Sequence, residues 1–347
     1  MSFHDFRSDT VTLPTSQMMA AVAAARLGDS ARGDDPTVLE LEALACELTG
    51  KDDALFVPSG TMANLAALIA HDCQGGEVIV EATAHIYNSE GGGLSRVAGA
   101  VARPVHGRAG QLDPSDVEAA IRASADLALA PTKLICLENT HNASGGTVTS
   151  PDVMAEIRSV AAAASLPVHL DGARLFNAAA HLGIPIRRLC DQADSVWFAL
   201  CKGLGAPVGA MLAGERPFMR KARRAAKMLG GGMRQAGLIA APAIVGLRDP
   251  YPQHKRDHVL AQRLARELAR LDSSFVDPQR VQTNIVNCMV TRVASDAGKI
   301  NSQLSRRGVL ANNKGPKIRF VTHAQVDETD VDAAVRAFAD VLESSPA

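Results

Sequence analysis

Aromatic side chains are scarce: nine Phe, two Tyr and one Trp make up 3% of the 347 residues. So few rings leave little to stack on sugars or exposed bases, which argues against a lectin or a single-strand binder. A net charge is missing too, since 36 Lys+Arg against 37 Asp+Glu leave −1. A nucleic-acid partner calls for a net basic face, so none is expected. The six cysteines (Cys46, Cys73, Cys136, Cys190, Cys201, Cys288) form no CxxC pair and no dense framework. Free thiols follow. No apolar run approaches the roughly 18 residues of a membrane span, and residues 1–16 lack an apolar core behind a basic start. A cytoplasmic protein without a membrane partner is expected. A GxxxxGK[ST] loop is absent, and Gly203-Leu204-Gly205 lacks the third glycine of a dinucleotide fingerprint.

What remains is a chain of ordinary hydrophobicity, 47%, long enough for two domains. Short apolar runs at Ala54–Pro58, Glu77–Glu81, Lys133–Glu138, Leu166–Asp171 and Ser195–Cys201 alternate with helical stretches. Runs such as LICL and VWFAL do not alternate apolar with polar, so the strands are buried on both faces, as in a parallel sheet. Pro36–Leu48 reads as a helix with Asp35 as N-cap, Pro36 at the first position and Gly50 beyond the end. Asp249-Pro250-Tyr251-Pro252 reads as a turn cluster, followed by an amphipathic helix near Asp257–Leu271, two strand-like runs and a terminal helix Glu328–Leu342. The expected fold is α/β: a large domain, residues 1–245, with a mainly parallel sheet, seven-stranded if it follows the fold that the resemblance described below implies, and a smaller α+β domain, residues 246–347.

Four features carry chemistry. Lys202 directly follows a buried-looking strand; a desolvated ammonium there is paired or loses its proton, and lysines of that kind form Schiff bases. A strand-end lysine reaching solvent is the other reading. Asp171 ends a strand, where ligands of open α/β sheets bind, although it would equally cap the next turn. Ser59-Gly60-Thr61 stands between a strand and a helix, whose first N–H groups favour a phosphate. Glycine triplets follow Glu90 and precede Met233-Arg234; they suit loops against a ligand or another subunit, or plain flexible loops. Together, an amine, a strand-end carboxylate and a phosphate cup are what pyridoxal phosphate needs for its aldehyde, ring nitrogen and phosphate.

The chain resembles the threonine aldolases of pyridoxal-phosphate fold type I. The resemblance runs nearly end to end: RSDTVTLPT (7–15), GDDPTVLELE (33–42), PSGTMANLAAL (58–68), LENTHN (137–142), HLDGARLFNA (169–178), KGLGAPVGA (202–210), GGGMRQAG (230–237) and IRFVTH (318–323). It implies an aldehyde-lyase that cleaves β-hydroxy-α-amino acids to glycine and an aldehyde. It also implies that Lys202 holds the cofactor aldehyde and Asp171 its ring nitrogen. His85 would lie on the ring face and serve as candidate base. Ser59, Gly60 and Thr61 would hold the phosphate, with Arg234 reaching it from a second subunit of a homodimer or homotetramer. Ser8, Arg174 and Arg319 would surround the substrate carboxylate, Arg174 also lying at the cofactor. No metal is implied, since no second His or Cys stands at ligand spacing from His85 and Glu90. The chain departs from the family at Arg32, where a tyrosine is common, and at Ala128, where bacterial members often have a second histidine. Arg32 would then meet the substrate's side chain. A transaldolase, a racemase or a β-eliminating lyase on the same scaffold, and a non-catalytic binding protein, are the alternatives.

Overall fold

A computed structural model describes residues 3–122, 127–291 and 297–344. In chain order the strands are β1 (His4–Asp5), β2 (Asp53–Val57), β3 (Glu77–Glu81), β4 (Val101–Val105), β5 (Thr132–Glu138), β6 (Val168–Asp171), β7 (Ser195–Ala199), β8 (Ala210–Gly214), β9 (Ile285–Met289), β10 (Val309–Leu310), β11 (Asn312–Lys314) and β12 (Lys317–Val321). Seven of them form one sheet in the order β2-β8-β7-β6-β5-β3-β4. It is parallel except for β8, which runs antiparallel to both β2 and β7. Every residue of β3, β7 and β8 is buried, the outcome expected of strands covered by helices on both faces.

The helix Pro36–Thr49 shows how closely local signals set its ends. Asp35 accepts hydrogen bonds from the Thr37 and Val38 N–H groups, and Gly50 closes the helix in the left-handed conformation. The Asp249–Pro252 segment differs from expectation: it is no extended turn but the start of the helix Tyr251–Leu271, with Pro250 as N-cap. Proline is tolerated there because first-turn N–H groups have no intrahelical acceptor. Strand β8 has no counterpart in the sequence reading, because AMLAG has neither alternation nor β-branched residues to mark it.

Two apolar clusters are the largest among the described residues. One lies around the sheet and holds Leu41, Ile79, Ile135, Leu170, Phe198 and Leu247. The second, with Leu264, Phe275, Phe338 and Val341, belongs to the antiparallel sheet β11-β12-β9 and its helices. The chain begins in the second core: β1 pairs with β10, and the Phe6 ring meets Phe320 edge-on at 5.9 Å. Residues after β1 then run from the small unit to the C-terminal ends of β5, β6 and β7, which brings Ser8 and Asp9 to the place where Glu138 and Asp171 end their strands.

Candidate active site

Asp171 and Trp197 face each other across β6 and β7, and Lys202 follows three residues after β7. The Lys202 Nζ lies 5.9 Å from the centre of the Trp197 ring and forms no ion pair among the described residues. Burial depresses its pKa, and the nearby Arg174 charge lowers it further, so the amine gives up its proton more readily than a free lysine. Trp197 also supports Gly60: a Cβ there would stand 2.2 Å from the indole, so only glycine lets the helix Gly60–Ala70 start this close. Ser59 caps that helix by accepting from the Met62 N–H, and Thr61 stands in its first turn. Lysine, carboxylate and helix start are therefore joined through one indole.

Asp171 is 1% exposed. One of its oxygens accepts from the Ala173 N–H at 3.1 Å and the other from the Asn64 amide at 2.9 Å. The same amide donates to Glu90 at 2.8 Å, and Glu90 in turn accepts from His85 Nδ1 at 2.9 Å. That last bond raises the His85 pKa. Ligand-type atoms of His85, Glu90 and Asp171 lie within 4.8 Å of one another. The spacing argument from sequence counted only the first two, because Asp171 is distant in the chain. Glu138 orders the surrounding loops by accepting from the His85 N–H at 2.6 Å and the Asn142 N–H at 2.7 Å.

Arg174 and Arg319 meet through Asn142, whose Oδ1 accepts from Arg174 Nη1 at 3.1 Å and from Arg319 Nη2 at 3.0 Å. Arg174 is otherwise committed: its Nε and Nη2 each lie 2.7 Å from an oxygen of Asp9. Burial works against the Asp9 charge, but Arg174, with Lys202 and Arg319 behind it, holds its carboxyl well below the usual range. Arg319 is the opposite case. Its Nε has no hydrogen-bond partner, and burial beside Arg174 lowers its pKa to about 10. A buried guanidinium with an empty N–H is an unfilled anion site. Ser8 reaches the same place indirectly, its hydroxyl 3.3 Å from Asp9.

Three anticipated positions lie elsewhere. Arg234 and Arg32 both reach Asp29, at 3.2 and 3.5 Å, on the exposed turn Ser30–Arg32. Arg32 lines a cavity of about 460 Å³ with Arg223, Lys227 and Met233 that does not include Lys202. Ala128 sits in an exposed turn ahead of β5, at the end opposite Glu138. Sequence reasoning missed Asp9, Asn64, Asn142 and Glu138 as members of the site. All four stand in quoted motifs (RSDTVT, PSGTMAN, LENTHN), but nothing in a motif says that a carboxylate faces an arginine 165 positions away.

A family model described as beta-eliminating lyase matches residues 5–291. Low-specificity L-threonine aldolase 1 of Arabidopsis thaliana is 40% identical over 339 residues, 96% of this chain and 95% of that protein. The chain belongs to the threonine aldolase family. The low specificity L-threonine aldolase of Escherichia coli (strain K12) agrees, at 39% identity over 96% of this chain and 98% of its own. In three dimensions the threonine aldolase of Leishmania major superposes with a TM-score of 0.79, at 19% identity, over 97% of this chain and 99% of that one.

The cofactor of the family is pyridoxal phosphate, and the residues present fit it. Pyridoxal phosphate calls for an amine, a carboxylate and an anion cup near one another. Here those are a lysine with no ion-pair partner among the described residues, a buried aspartate at the next strand end and a capped helix start against the same indole. Among the described residues no helix is long and apolar enough to cross a membrane.

Proposed function

We propose that this protein is a pyridoxal-phosphate-dependent carbon–carbon lyase that cleaves β-hydroxy-α-amino acids to glycine and an aldehyde. The observation that carries the reading is the unpaired Lys202 amine near Asp171 and Asp9, the latter shared with an Arg319 whose Nε has no partner. The full-length likeness to threonine aldolases supports it.

Lys202 would hold the cofactor aldehyde and Asp171 its ring nitrogen. Ser59, Gly60 and Thr61 would hold its phosphate, and His85 would lie on its ring face. When bound, the cofactor supplies an electron sink for the pair left on the α-carbon. The chain's own residues do the rest. Arg319 takes the substrate carboxylate with its free N–H, while Arg174, fixed by Asp9 and steadied through Asn142, supplies the second positive edge. Ser8 completes that end of the site. Clamping the carboxylate fixes which bond at the α-carbon is aligned for cleavage. His85 donates Nδ1–H to Glu90, which leaves Nε2 as the basic nitrogen. It takes the β-hydroxyl proton as the Cα–Cβ bond breaks and the aldehyde leaves; a proton returned to the α-carbon gives glycine.

The same reading places Arg234 at the phosphate of a second copy, in a homodimer or homotetramer with sites at subunit boundaries, in the cytoplasm. Because Arg32 shares Asp29 with Arg234, it would enter that neighbouring site on the same turn and meet the substrate's side chain. We keep the division into residues 1–245 and 246–347, with β1 and Phe6 returning to the small unit and Leu247 still packed in the large one.

The deciding experiment is a panel of β-hydroxy amino acids of both stereochemistries, with glycine and aldehyde measured together. Equal release of both is expected. A panel without glycine, or racemised substrate in its place, overturns the aldolase reading. An Arg32→Tyr variant with unchanged relative rates for threonine, allo-threonine and hydroxyaspartate would remove Arg32 from the pocket.

A further inference from the structure

Asn64 is 0% exposed, stands on the helix that starts at Gly60, and uses every hydrogen-bonding site its amide has. Its Nδ2 donates to Asp171 Oδ2 at 2.9 Å and to Glu90 Oε1 at 2.8 Å. Its Oδ1 lies 2.7 Å from the Trp197 indole nitrogen and 3.2 Å from His169 Nε2. The orientation of a buried amide is often ambiguous, but an indole N–H only donates. Trp197 therefore fixes the oxygen toward itself and both amide hydrogens toward the carboxylates.

The protonation of a longer chain follows from that one donor. His169 is neutral, its pKa pushed by burial down to about 3, so it carries one ring hydrogen. Facing an acceptor oxygen, Nε2 holds it, and Nδ1 must accept from the Ser195 hydroxyl at 2.8 Å. The Ser195 oxygen then accepts from His71 Nε2 at 2.7 Å, and His71 is also neutral, pushed by burial to about 4. Every donor in the series His71–Ser195–His169 points toward Asn64. Such a one-way chain polarises the amide and strengthens the two N–H bonds at its far end.

We propose that Asn64 is the positioning residue of this site. Its amide, locked by Trp197 and the His169–Ser195–His71 chain, keeps Asp171 and Glu90 side by side as acceptors, so that Asp171 is set for the cofactor's ring nitrogen and Glu90 for His85 Nδ1. The physical need is plain. Two carboxylates this close repel and tend to share a proton unless donors stand between them. A protonated Asp171 would no longer hold a ring nitrogen in its charged form, and a protonated Glu90 would no longer fix the His85 tautomer. Asn64 supplies one N–H to each without adding charge. The proposal rests on the reading of the site as a pyridoxal-phosphate centre.

Two variants of nearly the same shape test it. Asn64→Leu removes all four bonds; Asn64→Asp keeps an acceptor toward Trp197 but gives Asp171 and Glu90 a third carboxylate instead of donors. The apoprotein's affinity for added pyridoxal phosphate and the absorbance spectrum of the bound cofactor are measured in the full chain. Weakening by about tenfold or more is expected for both, the aspartate variant being worse, with a changed spectrum. A third measurement needs no cofactor. The chain has one tryptophan, so its indole N–H gives a single assigned signal, expected to exchange slowly with solvent in the wild type and fast in Asn64→Leu. A folded variant, judged by circular dichroism, that binds within twofold of wild type with the same spectrum overturns the role of Asn64. So does a wild-type indole N–H that exchanges as freely as an exposed one. A wild-type protein with no affinity for pyridoxal phosphate overturns the reading of the site and this inference together.

Discussion

Arg174 and Arg234 each hold a carboxylate, Asp9 and Asp29, but side chains of the first pair are 4% and 0% exposed and those of the second 60% and 24%. The chemistry is the same and the environment is not. In the first pair both charges are cut off from water, both bonds are short and parallel, and neither side chain has an alternative partner of equal quality. It is a fixed part of the pocket floor. The second pair is screened by solvent and contributes little to the fold, so Arg234 can leave Asp29 for another anion at small cost. An arginine that must hold a position is buried; one proposed to reach a phosphate stays outside.

The comparison is sharpened first at the pocket itself. Lys202→Ala removes the amine proposed to hold the cofactor, and glycine formation should fall by about 10³-fold or more, with loss of the visible absorbance of the bound cofactor. Retained turnover would show that the pocket has another nucleophile. Next, Asp9→Ala leaves the Arg174 charge buried without its partner, so the denaturant midpoint should drop by an amount worth about 3–5 kcal/mol. Its sign with pH follows from the depressed Asp9 pKa: the contribution is complete above the ordinary value of 3.8 and is lost as the pH falls below it. A smaller effect concerns His85, whose pKa is raised by its bond to Glu90. As a base it must be neutral, so the rate should climb as pH rises through that raised value, and Glu90→Gln should move this limb to lower pH. An unmoved limb would assign it to another group. The smallest structural effect belongs to Arg234→Ala, which should leave Tm essentially unchanged while weakening cofactor binding. A large loss of stability would break the contrast between the two pairs.

Much of this was legible in the chain. The strand runs at Glu77–Glu81 and Lys317–Val321 and the capped helix from Pro36 were readable, because burial on both faces and capping are local properties. Lys202 and Asp171 were readable as well, since a charged residue at the end of an apolar run is conspicuous. Asn64 was not. It is one polar position in an alanine-rich helix, and its importance comes from Trp197, His169, Asp171 and Glu90, which approach it from three other segments. Arg174 was read as a substrate ligand, but the fold gives its two best donors to Asp9.

The scarcity of aromatic rings takes on a definite meaning here. With a single indole in the chain, one residue serves as the platform for Gly60, the neighbour of the Lys202 ammonium and the donor that orients Asn64. The amino-acid sequence by itself determined the α/β architecture and the family, because each is written in local patterns or in motifs that survive along the chain. Only the tertiary structure decided which arginine is free, which carboxylates share a donor and which cations remain outside. Those outcomes depend on distance and desolvation between residues far apart in sequence, and neither quantity exists until the strands and helices have packed.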